Sequence, residues 1–161
     1  MATIIVEDGS IVANANSYVS EAELSTYAAD RGITLSGTPN QLIIKSMDYT
    51  ESRNFIGDKY TQGQSLQWPR DNAYIDGFEV GTDTIPQELK NAQLATAISI
   101  DAGVDPSATI ERATKREKLD VLEVEYQDNA ASFEIIRSIN NAFSKLIRGG
   151  TGIGSVSVWR I

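Results

Sequence analysis

Between residues 57 and 84 the chain carries Gly57, Gly63, Pro69, Gly77 and Gly81, and its apolar residues never recur at helical spacing. Glycine loses the most backbone freedom when held in a helix, and proline removes an amide and collides with the preceding turn. A continuous helix cannot cross this stretch, so helices must lie on either side of it. The pair Asp76-Gly77 is a two-residue hairpin signal. The stretch is therefore expected to be a long, partly ordered loop containing a small hairpin.

The flanking segments carry helical signals. Ser20 and Glu23 have capping-box spacing, followed by Leu24, Tyr27 and Ala28 on one face and by Gly32 as a stop. Thr38, Pro39 and Gln41 suggest a second start of the same kind, ahead of Leu42, Ile43, Ile44, Met47 and Tyr49. Pro86 opens a third helix, whose face of Leu89, Ala92, Thr96 and Ile100 is rich in small residues, and Gly103 closes it. A fourth places Phe133, Ile136, Ile139 or Asn140, Phe143, and Leu146 or Ile147 on one side and stops at Gly149-Gly150. The expected helices are 20–31, 38–55, 86–102 and 130–148, with a small β element at 65–80 and 119–127. "TIIVEDG", residues 3–9, has the look of a short strand entering an Asp-Gly turn.

These signals predict a mostly α chain, a bundle of about four helices with a small β element and extended N- and C-terminal arms. Residues 1–148 form one helical domain with 57–84 inserted, and 149–161 form an extended C-terminal arm. In that arm Gly149, Gly150, Gly152 and Gly154 supply freedom. "SVSVWRI" then alternates Val156 and Val158 against Trp159 and Ile161, with Arg160 available to an acidic site. A terminal strand that is apolar on both faces suits addition to a partner's sheet or groove.

Composition narrows the chemistry. The 161 residues contain no cysteine and no histidine, which removes disulfides, thiolate nucleophiles, the usual zinc sites and every Ser-His or Cys-His dyad. No apolar run approaches the length of a membrane helix, and the N-terminus lacks the pattern of a signal peptide. Carboxylate pairs such as Glu7 with Asp8, Glu21 with Glu23, and Glu123 with Glu125 lack metal-ligand spacing. "GTGIG" lacks the Lys-Ser/Thr of a phosphate loop. No enzyme, no cofactor and no metal is expected.

Charge is unevenly placed. Residues 1–134 hold all 22 acids and 10 of the 14 bases, a net −12, whereas 135–161 carry only Arg137, Lys145, Arg148 and Arg160. An acidic body disfavours a broad phosphate-binding surface. "ERATKREK", residues 111–118, gathers four bases without an interleaved aromatic, which suits a solvated connector better than a stacking platform.

The stretch "GQSLQWPRDNAYIDGFEV" adds a signature. Together with "IIVEDGSIVANANSYVSEAELSTYAADRG", "IPQELKNAQLATAI" and "KREKLDVLEVEY", in that order, it resembles a family of small tailed-phage proteins. These are encoded among head and tail genes and are called DnaT-like or head-tail connector proteins. The connector side of the resemblance implies a virion subunit made in the host cytoplasm and placed at the head-tail interface. It would be a homo-oligomeric ring, a dodecamer, joining the portal protein to a tail or nozzle component. Genomic DNA would pass through without specific binding, and no membrane would be involved. The DnaT-like label implies instead a single-stranded DNA-binding module. With an acidic body and few aromatics, the connector is the expected reading and single-stranded DNA binding the alternative.

Under the connector reading, Gly149, Gly150, Val156, Val158, Trp159, Arg160 and Ile161 would contact the portal or a neighbouring subunit. Trp68, Pro69 and Arg70 are a loop anchor or an inter-subunit contact. Pro69 restricts Trp68 and aims its indole, expected to point into the core. Arg70 is expected to pair with Asp71, Asp76 or an acid on an adjacent subunit.

Overall fold

The computed structural model describes residues 3–107, 118–119, 122–123 and 130–148. Among the described residues there are four helices: α1 (Glu21–Ala29), α2 (Pro39–Glu51), α3 (Gln87–Asp101) and α4 (Ala130–Phe143). Six two-residue strands pair antiparallel: β1 (Asp58–Lys59) with β2 (Arg70–Asp71), β3 (Tyr74–Ile75) with β4 (Phe78–Glu79), and β5 (Lys118–Leu119) with β6 (Leu122–Glu123). This is a small mixed α/β protein, and the expected mostly α four-helix bundle is overturned. The helices are shorter than their apolar periods suggest, and backbone pairing takes up the chain between them.

Helix starts follow the local chemistry unevenly. At α1 the Ser20 hydroxyl accepts from the Glu23 amide, and Glu23 Oε2 accepts from the Ser20 amide at 2.6 Å, so the capping box is complete. At α2, Pro39 occupies the first turn, but Thr38 caps no amide with its side chain. Pro86 is the N-cap of α3, in an extended conformation, rather than part of its first turn. The fourth helix ends at Phe143, not near 148. The chain beyond it pairs instead with residues 54–56: Ile56 N donates to Leu146 O at 2.9 Å and Arg148 N to Asn54 O at 2.8 Å.

The expected strand at 3–9 is absent, replaced by a single bridge between Val6 and Ser17. Glu7 is the reason. Its carboxylate is fully buried and accepts from the amides of Gly9, Ile11 and Val12 at 2.9–3.0 Å, which curls the chain around it. Ionised acceptors holding several amides make strong, directional contacts, so the polar side chain organises a loop where an extended strand was expected. At 119–127 the single expected strand is instead the start of the β5–β6 pairing, and 124–127 lie outside the described residues.

Two apolar clusters hold these elements together. The larger gathers Tyr18, Met47, Tyr49, Phe55, Leu66, Trp68, Ile75, Ile85, Leu89, Ile139, Phe143 and Leu146 with their neighbours. The smaller packs Val19 and Leu24 from the α1 region against Leu42 and Ile43 of α2 and Leu94 and Ala97 of α3. Fully buried Gln93 stitches α3 to the N-terminal segment: its Oε1 accepts from Tyr18 N at 3.1 Å and its Nε2 donates to Ser17 Oγ at 2.9 Å.

Candidate nucleic-acid interface

Residues 57–80 are built around one continuous run, 69–75. Its first half pairs with 58–60, where Tyr60 N donates to Pro69 O at 3.4 Å, and its second half pairs with 78–80, where Val80 N donates to Ala73 O at 2.8 Å. The second pairing turns through Asp76 and Gly77, both at positive φ (52° and 86°), as a two-residue turn of this kind requires. β1 had no counterpart among the expected elements.

Trp68 anchors this assembly. Its side chain is fully buried in the larger core, 6.1 Å from the Phe55 ring in an edge-on arrangement, and the Trp68–Pro69 peptide bond is cis. The Trp68 amide donates to Tyr18 Oη at 3.1 Å, and Tyr18 Oη donates in turn to Glu51 Oε1 at 2.6 Å. The other Glu51 oxygen accepts from the Gln67 amide at 3.0 Å. Burial pushes the Glu51 carboxyl above its ordinary value, against the opposing donations of Tyr18 and Gln67 and the fields of Lys59 and Arg70.

Arg70 is buried, and its partners are carbonyls. Nε donates to Ile56 O at 2.6 Å, Nη2 to Gly57 O at 2.8 Å and Nη1 to Gln67 O at 3.2 Å. Asp71 and Asp76 are not among them. A planar fork with five donors suits this job of gathering carbonyls from three directions. Trp68, Pro69 and Arg70 thus sit inside, where they position the surface without forming it.

The surface itself is aromatic. Tyr60 is 48% exposed, Tyr74 54% and Phe78 79%, and these are the exposed large hydrophobics among the described residues. Ile75 faces the core while its cross-strand partner Phe78 lies out in solvent. Sequence reasoning missed these three because a stretch without a period gives no inside and outside.

Two cations from the chain after α4 reach the same hairpins. Lys145 Nζ lies 2.6 Å from Asp76 Oδ2, in the turn between Tyr74 and Phe78. Arg148 Nη2 lies 2.9 Å from Asp58 Oδ1, two residues from Tyr60. Both pairs are half-exposed. Residues 57–84 carry five acids and two bases, so these two cations bring the region near neutrality.

The expected contact residues Gly149, Gly150, Val156, Val158, Trp159, Arg160 and Ile161 lie outside the described residues, as do the bases of 111–117. Among the described residues no group of three or more His, Cys, Asp or Glu could hold a metal ion, and no helix is long and apolar enough to cross a membrane.

Exposed aromatic rings near cations are among the features of surfaces that accommodate unstacked bases. The chain matches, over residues 2–161, the model of the family described as "Putative DnaT-like ssDNA binding protein", and it belongs to that family. No curated protein and no solved structure matches it. The match overturns the head-tail connector reading, and with it the portal, the tail or nozzle component, the ring, and a DNA that passes without binding. Net charge and a count of aromatics favour the connector. Neither takes account of where the few aromatics stand, and three of the twelve stand in solvent on one short stretch.

Proposed function

We propose that this protein binds single-stranded DNA, as a binding module and not as an enzyme. The family match over nearly the whole chain carries the reading. The exposed rings of Tyr60, Tyr74 and Phe78 support it, because every base offers a π-face and stacking tolerates any sequence. The absence of cysteine and histidine from the sequence favours binding over catalysis.

The test is direct. The full chain is titrated into a fluorescently labelled single-stranded oligonucleotide and, separately, into the same sequence as a duplex, at physiological salt. Saturable binding of the single strand, with the duplex bound more weakly, is expected. No single-strand binding at micromolar protein, or an equal preference for duplex, overturns the proposal.

A further inference from the structure

The region around the two hairpins supports a more specific statement, which rests on the single-strand reading above. We infer that bases stack on Tyr60, Tyr74 and Phe78 while Lys145 and Arg148 exchange Asp76 and Asp58 for two backbone phosphates, so that binding depends mainly on stacking and only weakly on salt.

The first support is the cost of the arrangement. Leaving a phenylalanine 79% exposed forfeits the gain of burying it, and it does so at the end of a hairpin whose other members are firmly placed. Ile75 opposite Phe78 is buried and Ala73 beside Tyr74 is fully buried, so the hairpin base is fixed, while the pairing puts Tyr74 and Phe78 on its two faces, where bases of one strand passing around the hairpin tip can meet both. An ordered base with free rings is what a stacking platform requires.

The second support is the state of the cations. Asp76 holds Lys145, and Asp58, together with the Gly57 carbonyl, holds Arg148, in surface pairs that water and salt screen. A phosphate offers a guanidinium or ammonium the same kind of oxygen acceptor as a carboxylate, so the exchange replaces one weak surface pair by another of similar kind. Arg70 is buried against carbonyls, Arg53 lies over the Tyr49 ring, and Lys90 pairs with Glu23, so these three are committed elsewhere. Lys145 and Arg148 are also placed by the backbone, since 146–148 pair with 54–56.

Charge sets the balance between the two contributions. With five acids among residues 57–84, the region cannot hold a long run of phosphates. Two neutralised phosphates on a single strand give a slope of log affinity against log salt of about −1.4, at roughly −0.7 for each.

The experiment uses the full chain and oligonucleotides of thymidine and of mixed sequence, read by fluorescence anisotropy over a range of salt. Tyr60→Ala, Tyr74→Ala and Phe78→Ala are each expected to weaken binding by about tenfold or more on both oligonucleotides. Tyr60→Phe and Tyr74→Phe, which keep the ring, are expected to bind like the parent. The double change Lys145→Gln with Arg148→Gln is expected to flatten the salt slope to near zero. Melting temperatures and circular dichroism confirm that each variant is folded, and Phe78→Ser serves if Phe78→Ala is not. Alanine variants that bind like a binding-competent parent overturn the inference and leave single-strand binding intact. So does a salt slope that disappears only when Lys115, Arg116 and Lys118 are neutralised. A parent that does not bind any single strand overturns both. If the parent self-associates in sedimentation, and the aromatic variants abolish that while leaving DNA binding unchanged, the face joins two copies of the chain and the inference is wrong.

Discussion

The hydroxyl of Tyr18 donates to Glu51 at 2.6 Å and accepts from the backbone of Trp68 at 3.1 Å, so one buried phenol joins the end of α2 to the start of the hairpin region. The exposed rings stand on a base held by polar contacts as much as by apolar packing. Glu51 is central to it, taking Tyr18 on one oxygen and Gln67 on the other.

That geometry gives Glu51 a pH signature. Burial raises its folded value above the ordinary 4.5, despite the donors that lower it. A carboxyl with a raised folded value contributes stability that is fully present below the unfolded value and is lost as pH rises through the folded one. The stability of the parent relative to Glu51→Gln is therefore expected to fall as pH rises from the ordinary carboxylate value through the raised one, the opposite of a salt-bridged carboxylate. Urea denaturation of both proteins across that range measures it, and a difference that grows with pH contradicts the assigned burial.

Glu23 supplies the contrasting case. Burial alone would raise its carboxyl, but donation from the Ser20 amide and hydroxyl and the Lys90 ammonium bring it below the ordinary 4.5. Its contribution is present above the unfolded value and is lost as pH falls through the depressed one. Ser20→Ala removes the cap and is expected to cost about 0.5–2 kcal/mol at neutral pH. The part of the loss that comes through the Glu23 carboxylate should shrink as pH falls through its depressed value. Thermal melts over a series of falling pH test this, and a loss that grows as pH falls would count against the box.

Arg70 holds the carbonyls of Ile56, Gly57 and Gln67, with no carboxylate of the described residues at ion-pair distance. Arg70→Met keeps much of the volume but strands those acceptors, at roughly 1–3 kcal/mol for each buried group left unsatisfied. Arg70→Lys should recover little, because an ammonium cannot reach three directions at once. Chemical denaturation of both variants is expected to place them close together and well below the parent. A lysine variant as stable as the parent shows that charge, not fork geometry, matters here.

How much of this was legible beforehand depended on the range of the interaction. The α1 box and the Asp76-Gly77 turn were visible because each is settled within four residues. Thr38 looked like an equally good cap and makes no such bond, since spacing permits a cap without requiring one. Glu7 defeated the strand expected at 3–9 because no periodicity announces a carboxylate that turns inward to collect amides. Gln93 sits among the apolar residues of α3 and was silent until its partners, more than 70 positions away, came into view. The helical bundle failed for a related reason. Apolar spacing marks a helix face but not its end, and the ends here are fixed by distant pairings such as Asn54 with Arg148. The aromatic surface was illegible because Tyr60, Tyr74 and Phe78 follow no period, and only the two-sided pairing of 69–75 decides which of its neighbours face out.

Gly57 and Gly77 both hold positive φ, at 68° and 86°, yet they should respond differently to alanine. A Cβ on Gly77 meets nothing within 4 Å, so Gly77→Ala bears only the backbone strain of the left-handed region, about 1–2 kcal/mol. A Cβ on Gly57 would lie 2.4 Å from the carbonyl oxygen of Asp71 and 2.9 Å from the amide nitrogen of Ala73, both backbone atoms of the facing run. That contact cannot be relieved by a rotamer change. The β1–β2 pairing has to open, and the Gly57 carbonyl has to leave Arg70 and Arg148, both of which donate to it. Gly57→Ala is therefore expected to destabilise the protein clearly more than Gly77→Ala in urea melts. It is also expected to lower amide-exchange protection at Tyr60 and Val80, whose donors span the two pairings. Equal effects of the two substitutions would mean that the two pairings are not built on one shared run.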